Sequence, residues 1–296
     1  MLPIVAALND PQVNRRLTGT VKLLVSNNDI IGLAEKLDLK DNAVGGFYWS
    51  LADQTGVDLV SLQIEGTMLP TEKPIIPNLM LPLTMSIRPR RTDPDVLTQL
   101  TIKNVSPEET NVDLTPIDCV GPYEEVSFED MKTTAISFMM RTLERLQQQK
   151  SVIRLDISRS QFVRSLLDIT RDIFCQNQCT QLCIDHVSFL DDEQIDTNFI
   201  YALIDEWILP TWTADQKFLV VSPLLPNMTL CNLACGYRTK ILRPNPLFFF
   251  IWHPDHEGII VVEQDEPNNL TKLTFHKRIC GPFDSSFFRY LLRDTL

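Results

Sequence analysis

The chain has 296 residues, 44% hydrophobic and 22% charged, with a formal net charge of −11. This is globular rather than disordered composition, long enough for one large domain or two ordinary ones. The acidic balance disfavours non-specific binding to nucleic acid or anionic membrane, and no run of roughly 18 uncharged apolar residues suggests a spanning helix.

In chain order, "MLPIVAALNDPQVNRR" has no basic leader ahead of its few apolar residues, so no secretory signal is expected. Seven cysteines, an odd number, fit a reducing compartment, cytoplasmic or nuclear, better than a disulfide framework. "TVKLLVS" reads as a strand, "NNDIIGLAEKLDL" as a helix capped at Asn28 or Asp29, and "LVSLQIEG" as a strand ending at glycine. These form an N-terminal α/β unit, residues 1–66. The segment 67–82 carries prolines at 70, 74, 77 and 82 and reads as an extended connector, because proline lacks the amide donor and fixes φ.

Residues 83–296 form the remaining α/β domain. "LTMSIRP" and "LTQLTIKNV" read as strands joined by an arginine-rich turn, with "IRPRR" a solvated turn rather than a nucleic-acid patch. "FEDMKTTAISFMMRTLERLQQQ", about 128–149, reads as a long helix with Ser127 as N-cap and acids in its first turn. Strand "SVIRLDIS", helix "SQFVRSLLDITRDIF", strand "TQLCIDHVSF", helix "DTNFIYALIDEWI" and strand "QKFLVVS" then alternate, as in β-α-β units with a parallel sheet. Residues 245–296 are β-rich: "NPLFFFIWHPDHEGIIVVEQ" reads as two strands around a polar loop, "LTKLTFHKRI" as another strand, and "SSFFRYLLRDTL" as a closing helix.

"TQLTIKNVS" at 98–106 and "TQLCIDHVS" at 180–188 agree at six of nine positions. Their shared Leu-x-Ile recurs at Leu62–Ile64, Leu100–Ile102, Leu155–Ile157 and Leu182–Ile184, and as Leu219–Val221. Over 98–222 this matches the apolar frame of an irregular leucine-rich-repeat-like array, in which strands bury alternate residues under following helices and leave a binding face. The competing reading is that Leu-x-Ile is merely common in buried strands.

The stretch from Leu83 to about Val221, through "MSIRP", "SFEDMKTTAISFMMRTLERL", "IRLDIS", "TQLCIDHVSF" and "LIDEWI", resembles the F-box-associated regions of nematode proteins. An F-box would precede such a region, and "MLPIVAALNDPQVNRRLTG" shares only a Leu-Pro start with one. The resemblance implies a substrate- or partner-recognition module and no enzyme.

Chemical signatures are sparse. Cys175, Cys179 and Cys183 lie at C-x3-C-x3-C, and Cys231 with Cys235 repeats the spacing. Core packing is expected, since a break near Cys179 puts Cys183 on a strand; His186 is the additional ligand were metal bound. "WHPDHEG" gathers His253, Asp255, His256 and Glu257, which could serve a metal-dependent enzyme, but the same letters describe a solvated hairpin tip. Sequons at Asn104, Asn227 and Asn269, against roughly two that chance alone supplies, do not argue for secretion. No G-x-S-x-G, P-loop or H-E-x-x-H motif occurs. Trp207, Trp212 and "LFFFIW" are core or interface material. The expectation is an acidic, soluble, non-catalytic scaffold binding another protein, with no catalytic, cofactor or metal residues assigned. Alternatives are a metal-dependent enzyme built on the His253–Glu257 loop and a structural subunit of a larger, for example viral, assembly.

Overall fold

The structure, a computed structural model, describes residues 17–25, 30–37, 57–66, 87–89, 97–105, 122–190, 195, 197–244, 247–255 and 258–277. The connector 67–82, most of the arginine-rich turn and the expected closing helix lie outside these residues. The protein is mixed α/β, and by compactness it divides into residues 1–173 with 186–193, and residues 174–185 with 194–296.

The first unit holds β1 (Leu17–Val25), β2 (Ile30–Leu37), β3 (Val57–Gly66), β4 (Ile87–Pro89), β5 (Gln99–Lys103), β6 (Glu125–Glu129) and β7 (Arg154–Ser158). Their order is β2-β1-β3-β5-β6-β7, with β4 also on β3; β2 alone runs antiparallel to its neighbour. Register places Leu62, Leu100, Val126 and Leu155 in one row and Ile64, Ile102, Phe128 and Ile157 in the next. In β5, β6 and β7 these side chains are all buried. Helix α1 (Ile136–Gln149) links parallel strands β6 and β7 and buries Phe138, Met139, Leu143 and Leu146. A crossover of this kind sets its apolar stripe over the sheet.

Four strands, β5, β6, β7 and one of the second unit, end in the same way. Asn104 (φ 48°), Asp130 (φ 54°) and Arg159 (φ 48°) directly follow β5, β6 and β7 in the left-handed region. His186 (φ 49°) directly follows β9 (Gln181–Asp185), a strand of the second unit. The Asn104 amide donates to the Glu129 carbonyl at 2.9 Å and the Asp130 amide to that of Ser158 at 3.1 Å, extending the ladder by a residue. Asn and Asp tolerate this conformation through short polar side chains. After the turn, β8 (Gln161–Phe162) leads into α2 (Arg164–Cys175), and β8 pairs in parallel with β10 (Ser188–Phe189).

Two sequence expectations are corrected here. Residues 30–37 form a strand rather than a helix: seven residue pairs join β2 to β1, and Gly32 lowers the competing helix propensity. The long helix does not begin at Phe128. Ser127 sits mid-strand in β6, Thr133–Ala135 is a 3-10 turn, and α1 starts at Ile136. Val126 and Phe128 fill the place of Leu-x-Ile between β5 and β7, and pairing on both sides outweighs the helix-like run of acids.

The second unit contains β9, α3 (Thr197–Ile208), β11 (Gln216–Ser222), α4 (Asn227–Gly236), β12 (Thr239–Pro244), β13 (Leu247–Trp252), β14 (Ile259–Asp265) and β15 (Leu270–His276). Strand order is β9-β11-β15-β14-β13-β12, with only β9 and β11 parallel, so the C-terminal end is β-rich. Leu182 pairs with Leu219 and Ile184 with Val221. The row from Leu219 continues through Leu273, Val262 and Phe249. On the other face, Phe248, Phe250, Ile259 and Val261 form a buried cluster with Trp252 against it. Burial of consecutive β13 residues on both faces matches the unbroken apolar run "LFFFIW". No helix among the described residues is long and apolar enough to cross a membrane.

Candidate functional site

The alternation that buries one side of β5–β7 turns a polar set the other way. Gln99, Glu125 and Arg154 form one registered row, Thr101, Ser127 and Asp156 the next, and Lys103, Glu129 and Ser158 the third. Gln99, Arg154 and Asp156 are exposed, Ser158 is buried, and the others are half-buried. Gln99 Nε2 donates to Glu125 Oε2 at 2.9 Å, and Lys103 Nζ lies 3.6 Å from Glu129 Oε2.

Beyond the carboxyl ends of these strands, Arg159 Nε donates to Asp130 Oδ1 at 2.7 Å while its Nη2 reaches Glu129 Oε2 at 3.4 Å. The hydrogen bond from Arg159, reinforced by its charge and that of Lys103, holds the Asp130 carboxyl below its ordinary range. Arg159 is exposed and its two acidic partners are only half-buried, so the pairs add little stability. In open parallel sheets the carboxyl edge is the usual place for ligands. The face offers donors, acceptors and charges of both signs on a regular grid, suited to recognising a surface.

The cysteine-rich segments do not converge. Cys175 ends α2, Cys179 is buried with its thiol 3.7 Å from the Gln181 carbonyl, and Cys183 lies on β9. Cys231 and Cys235 are exposed on α4, and His186 is an exposed turn residue. Among the described residues, no three His, Cys, Asp or Glu side chains are grouped to hold a metal ion.

His253 is not at a solvated tip. It is buried, its Nε2 is 3.3 Å from the Ile208 carbonyl, its Nδ1 accepts from the Asp255 amide at 3.1 Å, and its ring packs edge-on to Trp207 at 4.9 Å. Both ring nitrogens are engaged by backbone. His256 and Glu257 lie outside the described residues. Trp207 and Trp212 are core side chains rather than surface anchors.

Two buried lysines escaped the sequence reading. Lys217 Nζ donates to the carbonyls of Phe174 and Gln176, each at 2.6 Å, and lies 4.2 Å from the Trp212 ring centre. Burial pushes its amine down to about 8, against smaller opposing influences of Cys179 and Cys175. Burial likewise pushes the Cys179 thiol up to about 11. Lys277 Nζ donates to the carbonyls of Trp207 and Leu209, at 2.9 and 2.8 Å. Each ammonium satisfies carbonyls left over where a helix ends, and opposes the negative end of its dipole. The signal was in the strand period: Lys217 shares parity with Leu219 and Val221, and Lys277 with Leu273 and Phe275. This is helix-capping chemistry; an amine committed to two carbonyls and shielded by indole is poorly placed to attack a substrate.

No protein-family model matches the chain, and no curated protein or solved structure matches it.

Proposed function

We propose that the chain is a non-catalytic scaffold that recognises another protein through the polar face and carboxyl rim of β5–β7. The supporting observation is the registered pairing of buried apolar rows with a polar grid bearing Gln99, Lys103, Glu125, Arg154 and Asp156. Strands so paired hold side chains at fixed spacing, which gives a binding surface its specificity without a pocket. Alternating charge favours a protein partner over a polyanion, because neither sign dominates the face. The suggested kinship with F-box-associated regions of nematode proteins belongs to this proposal and points to the same role.

The test is quantitative affinity capture from cells of the source organism, using wild type, an Arg154→Glu/Asp156→Lys variant and an α1 control, Glu144→Lys/Gln148→Glu. Glu144 and Gln148 are exposed on the helix. A partner retained by wild type and control but lost from the face variant fits the proposal. Partners unaffected by the face variant, or lost only from the control, refute it.

A further inference from the structure

Helix α4 places its sulfur atoms unusually. Thr229, Leu230 and Leu233 are buried, so the helix packs by one stripe. The opposite side carries Met228, 72% exposed, together with exposed Cys231 and Cys235, neither in a disulfide. Methionine and free cysteine usually fill cores, so three such side chains turned outward on one short helix call for an explanation. At about 100° per residue, positions 228, 231 and 235 fall within an arc of roughly 60°. They are therefore one row of sulfur donors, two thiols and a thioether, on successive turns.

We propose that Met228, Cys231 and Cys235 form a surface site for a soft monovalent metal ion, copper(I). Thiols four residues apart start with Cβ atoms about 5–6 Å apart, and each Cβ–S bond lets them close on one ion at metal–sulfur distances of about 2.3 Å. Met228, one turn earlier, has three rotatable side-chain bonds with which to bring its thioether to the same ion. Two thiolates and a thioether favour copper(I), whereas harder ions prefer imidazole or oxygen. The row contains neither, and its third donor is a thioether, outside the His, Cys, Asp and Glu groupings considered above. On binding, each cysteine releases its proton and each sulfur donates an electron pair to the metal, whose oxidation state does not change. The complex carries one net negative charge and weakens as pH falls. An exposed site of this kind can exchange metal with another thiol-bearing carrier.

The full-length protein, reduced and under anaerobic conditions, is titrated with copper(I) against a chromogenic copper(I) chelator. Wild type should withhold a copper equivalent from the chelator, and X-ray absorption should show only sulfur neighbours. Cys231→Ser and Cys235→Ser should each lose that equivalent. Met228→Leu should retain it but yield it at lower chelator concentration, and Cys183→Ser should match wild type. Circular dichroism confirms folding, which surface substitutions should preserve. Unchanged copper retention in the Cys231→Ser/Cys235→Ser double variant overturns the site, as does wild type that withholds none. A Met228→Leu titration superimposing on wild type overturns the three-sulfur assignment.

Discussion

Replacing Lys217 with methionine keeps an unbranched apolar stem and removes the ammonium. The carbonyls of Phe174 and Gln176 then lose donors now at 2.6 Å, and Trp212 loses the cation 4.2 Å from its ring centre. Orphaning buried acceptors costs about 1–3 kcal/mol each, while removing a buried charge returns part of that, so the net loss at pH 7 should be about 2 kcal/mol. The pH dependence is the sharper signature. Burial lowers the folded-state amine from 10.5 to about 8, so between those values the unfolded chain binds more protons than the native one. Stability from this group therefore rises with pH across that window, by about 1.4 kcal/mol between pH 7 and pH 9. Methionine lacks the term, so the gap between wild type and Lys217→Met should widen by that amount. Cys179, pushed up to about 11, acts in the opposite sense but is present in both proteins. Urea unfolding followed by tryptophan fluorescence, at pH 7 and pH 9, measures the gap. A gap that stays constant or narrows with rising pH would refute the reasoning.

Other substitutions probe packing. A Cβ on Gly258 would lie 2.1 Å from the His276 carbonyl oxygen and 3.1 Å from Lys277 Cα, both backbone atoms, so Gly258→Ala should cost about 3 kcal/mol in the same urea assay. Among the described residues the buried Tyr123 hydroxyl has no hydrogen-bond partner, so Tyr123→Phe should leave stability unchanged or raise it by about 1 kcal/mol in thermal unfolding. Phe128→Ala should cost about 3–5 kcal/mol while exposed Asp156→Ala stays within about 0.5, a contrast chemical denaturation would expose. His253→Ala should destabilise by about 1–3 kcal/mol without changing metal content by elemental analysis; metal lost with the imidazole would favour the metal-enzyme alternative.

Strong period and composition made some elements legible. "QKFLVVS" coincides with β11, the apolar run "LFFFIW" with β13, and helix α3 begins at Thr197 within "DTNFIYALIDEWI". Two of the Leu-x-Ile pairs were legible as neighbours, Leu62 with Leu100 and Leu182 with Leu219, whereas Leu100 and Leu155 are separated by Val126. Strand β6 was missed because Val126 and Phe128 lie between acids that look like a helix's first turn. Helix α4 was missed because it buries only Thr229, Leu230 and Leu233, leaving a weak periodic signal. The left-handed residues closing β5, β6, β7 and β9 were hidden because they are Asn, Asp, Arg and His rather than glycine. The polar grid was legible only as the complement of the buried row, and its extent depended on knowing that β6 lies between β5 and β7.

The scaffold reading requires one side of β5–β7 to meet solvent while the other does not. Cysteines introduced one at a time at Gln99, Leu100, Leu155 and Asp156, in a background lacking Cys231 and Cys235, can be timed in their reaction with a maleimide under native conditions, each followed on its own peptide so that the other native cysteines do not contribute. Gln99→Cys and Asp156→Cys should react at rates near that of an unfolded thiol, and Leu100→Cys and Leu155→Cys only as fast as the protein unfolds. Equal protection at all four positions would mean that the polar grid is covered, leaving no surface there for a partner to read.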